Sequence, residues 1–192
     1  MNIVDNRWPI EKLTSTWTKF SQNLTGKKSR IQLHRDYDEW KECFAKIMGF
    51  PSRFSGGAFL SRKRNEFTIH LYLPESMTLE DRFEGFLHEL AHIYLDHLGE
   101  REGGIVDCDV EADGWVFANF SEEIRILRRL IHWRRYGEDS VSEIERPDVT
   151  QEQIDQIRSD IGDGFILKKK DKSVLNEWLR GNEEELREFT SG

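Results

Sequence analysis

With 192 residues, 37% of them hydrophobic and 33% charged, the chain has room for one buried core and a small appendage under a polar surface. A net charge of −8 sets it against phosphate backbones, so direct nucleic-acid binding is not expected. No apolar run reaches bilayer-spanning length, and two cysteines, Cys43 and Cys108, make no disulfide framework.

The first residues, Met1 to Pro9, lack the basic start and apolar run of a signal peptide, so the expected compartment is cytoplasmic, with no membrane partner. Leu13, Trp17, Phe20 and Leu24 recur three and four apart and predict a helix over Trp8–Leu24, broken by Gly26-Lys27-Lys28-Ser29. A second helix is expected from Asp36, a fitting N-cap, to Met48, with Tyr37, Trp40, Phe44 and Ile47 inward and Gly49 ending it. Pro51–Gly57 reads as a loop. The period then changes to two: Ala58–Ser61, a polar turn at Arg62–Asn65 and Glu66–Leu73 predict a β-hairpin. Phe67, Ile69, Leu71 and Leu73 take its core face, Thr68, His70 and Tyr72 point the other way, and Pro74 stops the strand.

Thr78, with Asp81 three residues on, opens a third helix expected to run to about Leu98 before a Gly99 cap. Phe83, Phe86, Leu87, Leu90, Ala91, Tyr94 and Leu95 give it a broad apolar surface, which marks a central helix. After Gly103-Gly104 a long helix spans Asp109–Tyr136, with Val110, Phe117, Phe120, Ile124, Leu127 and Ile131 inward. Residues 137–147 read as a polar linker. Helices at Gln151–Ile161 and Ser173–Leu179 follow, separated by Gly162-Asp163-Gly164. The domain reading is therefore residues 1–136 as one unit and 137–192 as linker and helical appendage.

Inside the third helix lies His88-Glu89-Leu90-Ala91-His92, the HExxH pattern of zinc peptidases. Helical residues four apart sit about 40° apart around the axis, so His88 and His92 project from one face and can share a tetrahedral Zn²⁺. Glu89 between them is placed as general base. A catalytic zinc takes three protein ligands. A third histidine ten residues after His88 would complete one arrangement, but position 98 is Leu98. His97 stands about 180° from His88 around a continuing helix and is expected off the site. Glu111, nineteen residues past His92, is the better candidate, because an antiparallel helix pair returns it beside the HExxH turns. Asp107, Asp109 and Asp113 are acidic neighbours, and Asp109 or Asp113 can instead accept a hydrogen bond from a ligand imidazole.

The stretch Arg82–His97, RFEGFLHELAHIYLDH, followed by Glu111–Ala118, EADGWVFA, resembles the ImmA/IrrE family of metallopeptidases. There a hairpin precedes an "RF…HEL.H" helix, and a later "EA…FA" helix brings a carboxylate ligand. The resemblance covers roughly residues 35–136. It implies an α+β, zincin-like fold, with a small antiparallel sheet beside a helical core that carries the HExxH helix, and a helical tail. It also implies zinc at His88, His92 and Glu111, with Glu89 as catalytic base. The activity implied is that of an intracellular endopeptidase cleaving a protein such as a DNA-binding transcriptional repressor of a mobile element or stress response. One departure is Phe120-Ser121-Glu122-Glu123-Ile124 where family members commonly carry an "LLMP"-like segment. His70 and Tyr72 are candidates to polarise the scissile carbonyl from the hairpin. Cys108 reads as a small buried residue, and Arg125, Arg128, Arg129, Arg134 and Arg135 as the solvated side of a long helix. The competing class is a non-catalytic metal-binding interaction module that retains the fold.

Overall fold

Phe67, Ile69 and Leu71 alternate along one strand with Thr68 and His70, and helices cover both of the faces that this alternation creates. The computed structural model describes residues 10–34, 36–52, 57–72, 79–98, 105–136, 150–162 and 165–182. In chain order they form α1 (Ile10–Thr25), β1 (Lys28–His34), α2 (Tyr37–Met48), β2 (Gly57–Lys63), β3 (Glu66–Tyr72), α3 (Leu79–Tyr94), α4 (Ile105–Tyr136), α5 (Gln151–Ile161), a 3-10 turn (Lys169–Lys172) and α6 (Ser173–Gly181). The fold is α+β and mostly helical. Trp8, Leu73, Pro74, Thr78, Gly99, Gly103, Gly104 and the expected linker lie outside the described residues, as do the side chains of Ile131, Arg128, Arg129, Arg134 and Arg135.

The sheet runs β1-β3-β2 and is mixed, which corrects the antiparallel expectation: β2 lies antiparallel to β3, but β1 lies parallel to it, with Ile31 opposite Ile69. β1 falls where only a break was expected after α1. Its apolar signature is two residues, Ile31 and Leu33, between Arg30, Gln32 and His34, and its partner strand lies 38 residues further on (Lys28 opposite Glu66). Gly26 makes the join. At φ 65° it turns the chain out of α1, and the Ser21 and Ser29 hydroxyls meet at 2.7 Å across the turn.

On one face of the sheet, Leu60, Phe67, Ile69 and Leu71 meet α3 and α1, where Trp17 stacks on Phe86 at 4.7 Å. α3 is central, as its apolar breadth implies. Its far side packs on Trp115, Phe120, Ile124 and Leu127 of α4. On the other face, Trp40 and Phe44 of α2 close over Phe59, Tyr72 and His70. Asp36 caps α2 by accepting from the Asp38 and Glu39 amides, and Gly49 ends it at φ 80°. Ile47, expected inward, is exposed.

The tail is packed into the main core, not set apart from it. Ile154, Ile157, Phe165, Leu167, Leu175, Trp178 and Leu179 belong to the same apolar cluster as α1, α3 and α4. Asn119 on α4 reaches into the tail: its amide donates to the Phe165 carbonyl (2.9 Å) and its oxygen accepts from the Leu167 amide (2.8 Å). Lys172 pairs with the buried Glu123 at 2.7 Å. Trp178 sits 6.0 Å from Trp17, ring to ring, so α6 closes the end of the core that α1 opens. Trp178→Ala is therefore expected to lower the stability of the whole chain by about 3–5 kcal/mol, within one cooperative transition. Chemical denaturation followed by far-ultraviolet circular dichroism checks this, and a tail that melts early while the remainder keeps its midpoint would contradict it.

Candidate metal centre

α3 delivers His88 and His92 one turn apart, and their Nε2 atoms approach to 3.0 Å. The carboxylate of Asp109, on the second turn of α4, completes a triangle: its Oδ1 lies 3.4 Å from His92 Nε2 and 3.8 Å from His88 Nε2. Three ligands around one tetrahedral ion, each about 2.0–2.1 Å from it, stand roughly 3.3 Å apart. The observed edges bracket that value, so His88, His92 and Asp109 form a candidate metal-binding group.

Hydrogen bonds on the outer nitrogens turn both rings toward this point. His88 Nδ1–H donates to Asp113 at 2.6 Å. His92 Nδ1 lies 2.8 Å from His97 Nδ1, and His97 Nε2 lies 2.9 Å from a Glu111 carboxylate oxygen. With Glu111 accepting from His97 Nε2–H, His97 Nδ1 carries the lone pair that accepts from His92 Nδ1–H. Each ligand ring is thereby fixed in the tautomer whose Nε2 lone pair is free.

Two expectations are corrected here. Glu111 is not placed against the histidine pair; Asp109, two residues earlier, is. His97, expected off the site, is buried and holds His92 in place. Both changes have one cause. α3 ends at Tyr94, not near Leu98, and Asp96 takes a left-handed conformation at φ 60°. The turn sends His97 back along the helix, its amide donating to the His92 carbonyl, and Glu111 meets it there. Lys27 fixes the same helix end: its ammonium donates to the Ile93 carbonyl (2.9 Å) and to Asp96 (2.6 Å). The half-turn argument for His97 holds only for a continuous helix. An aspartate just before His97, tolerant of positive φ, was the sequence clue to the early stop.

Asp113 takes the role of imidazole acceptor that was open to it. His70 and Tyr72, by contrast, lie away from the centre: they occupy the sheet face covered by α2, while α3 packs on the opposite face. Alternation along β3 makes that separation unavoidable.

Glu89 is buried beside the pair. Burial pushes its carboxyl up to about 7, with Asp109 adding to the rise and His88 opposing it. Burial alone would lower His88, but the Asp109 carboxylate 3.8 Å from its Nε2 and the Asp113 carboxylate hydrogen-bonded to its Nδ1 outweigh it and raise His88 to about 10. His92 is lowered to about 4 by burial and by the neighbouring imidazoles of His88 and His97. The neighbouring His88 imidazolium holds Asp109 below the usual carboxylate range. Without a metal ion, the extra proton of the pair thus rests on His88, 3.0 Å from the Nε2 lone pair of His92.

Comparison of the chain with protein-family models, with curated proteins and with solved structures gives no match. Among the described residues no helix is long and apolar enough to cross a membrane.

A metal ion must displace the proton held on His88. At pH 8, Glu89 (about 7) is already mostly ionised and His88 (about 10) is not, so uptake of Zn²⁺ should release about one proton. Apparent affinity should rise about tenfold per pH unit there and level off above 10. Calorimetric titration in buffers of different ionisation enthalpy measures the release, and pH-independent binding would reject a proton held on His88.

Proposed function

We propose that the chain is a zinc-dependent endopeptidase in which His88, His92 and Asp109 hold the ion and Glu89 is the general base. The observation that carries this reading is the convergence of two Nε2 atoms and one carboxylate at ligand spacing beside a buried glutamate. Zinc bound there would supply a Lewis acid that polarises a carbonyl and acidifies water. The residues of the chain do the rest. Glu89, poised near neutrality, takes a proton from the attacking water and later gives it to the departing amine. Asp113 and the His97–Glu111 pair keep the two imidazoles aimed. Side-chain exposures of 26% at His88 and 53% at Asp109 leave the centre open to a substrate on one side. β2 is an edge strand that packs on α3, with Ala58 against Gly85, and offers an extended peptide a pairing surface.

The substrate class rests on the likeness of RFEGFLHELAHIYLDH and EADGWVFA to the ImmA/IrrE pattern. On that basis the substrate is an intracellular protein such as a DNA-binding repressor. The zincin-like character of the fold and the cytoplasmic setting belong to the same proposal.

Glu89→Gln is expected to keep stoichiometric zinc and to lower cleavage of a labelled unfolded protein by at least about 10²-fold. Unchanged function in that variant would instead mark a metal-binding interaction module. The carboxylate assignment has its own test. Asp109→Ala should abolish stoichiometric zinc binding, whereas Glu111→Gln, acting through His97, should weaken it by about 10–100-fold. The reverse ranking by metal analysis would make Glu111 the ligand.

A further inference from the structure

A second cluster lies on the sheet face away from α3. β1 and β3 are parallel neighbours in a register that sets Gln32 opposite His70 and His34 opposite Tyr72. His34 and His70 therefore share a face, one diagonal step apart. Their rings stack at 5.3 Å, with His34 Nε2 and His70 Nδ1 3.0 Å from each other. Cys43 of α2 closes over them, its Sγ 3.7 Å from His70 Nδ1. Both histidines are buried, at 3% and 4% exposure.

We propose that His34, Cys43 and His70 form a second metal site, selective for a borderline-soft divalent cation of the Zn²⁺ type and independent of the centre on α3. The spacing fits. Zn–N near 2.0–2.1 Å and Zn–S near 2.3 Å place two nitrogens roughly 3.3 Å apart, and a sulfur and a nitrogen roughly 3.6 Å apart, around a tetrahedral ion. The three ligand atoms all lie within 4.8 Å of one another. Three protein ligands leave the fourth position to water or a small anion.

The contacts of the outer nitrogens are compatible with an ion at this point. His34 Nδ1 is fully buried, and the group it faces is the Glu39 carboxylate. An ion on His34 Nε2 leaves Nδ1 as a donor aimed at the Glu39 carboxylate, 3.5 Å away. The same ion on His70 Nδ1 leaves Nε2–H to donate to Ser61 Oγ at 2.8 Å. Both outer nitrogens then face an oxygen, the arrangement that orients metal-bound imidazoles. Bound there, the ion would tie α2 to β1 and β3 through one ligand from each.

Cobalt(II) substitution of the full chain tests the site, because cobalt bound to thiolate gives a near-ultraviolet charge-transfer band that His/Asp ligation lacks. After chelation and reconstitution we expect two equivalents bound and a thiolate band in the unaltered protein. The band should persist in a His88→Ala/His92→Ala double variant, which retains one equivalent, and in Cys108→Ser; it should vanish in Cys43→Ser. No band in the unaltered protein, a band surviving Cys43→Ser, or one lost with Cys108→Ser overturns the proposal. Should Cys43→Ser misfold, alkylation of Cys43 in the His88→Ala/His92→Ala background decides: zinc should slow it at least tenfold, and an unchanged rate rejects the site. Because that background lacks the α3 histidines, failure here leaves the peptidase reading untouched, and failure of the peptidase reading leaves this site standing.

Discussion

An imidazole binds a cation through one lone pair, and which nitrogen carries it is decided by what the other nitrogen touches. That constraint organises the α3 centre from the outside in. Asp113 holds the Nδ1 proton of His88, and Glu111 acts through His97 to hold that of His92, so both Nε2 atoms are left facing one point. Each of these outer partners depends on a backbone feature: Asp113 on its place one helical turn beyond Asp109, His97 on the left-handed Asp96 that ends α3. Lys27, reaching from the α1–β1 junction to the Ile93 carbonyl and to Asp96, ties that helix end to the sheet. The geometry of the two imidazoles thus reaches back to residues as remote in sequence as Gly26, whose positive φ brings Lys27 into position.

Periodicity made the helices readable. Trp17 and Phe20 on α1, Trp40 and Phe44 on α2, and the apolar breadth of α3 each fall on the face assigned to them, because helix burial repeats within a few residues and needs no distant partner. β1 escaped for the opposite reason. Its identity as a strand comes from pairing with β3, and two apolar residues in seven carry little of that information locally. The hidden face of β3 was unreadable on similar grounds: Thr68 and His70 look like solvent-facing residues until Trp40 and Phe44 of α2 are laid over them. Tertiary cover, not composition, decides the burial of a polar strand face.

The site was legible to the same depth. HExxH places two rings on one helical face by geometry alone, and the arrangement of His88 and His92 follows. The carboxylate does not follow, because Asp109, Glu111 and Asp113 lie within five residues and all three reach the α3 end. Only the position of His97 separates them. Once that ring is folded back against His92, Glu111 has a partner, and the aspartates on the neighbouring turns are left to face His88.

Asp109, Glu111, Asp113 and the buried Glu89 bring four carboxyl groups around two imidazoles that sit partly out of water. Gathering acids in a weakly screened place is unfavourable unless a cation is gathered with them. In the metal-free fold the proton on His88 takes that part, which is why its affinity is raised while that of His92 is lowered. A divalent ion at the same point doubles the compensating charge and frees the proton. It also draws down the carboxyl of Glu89, whose rise to about 7 reflects burial opposed mainly by that single proton. A glutamate held near neutrality before metal uptake would be pushed further toward its ionised, basic form by the cation. The electrostatic balance that assembles the proposed centre is therefore the one that would arm it.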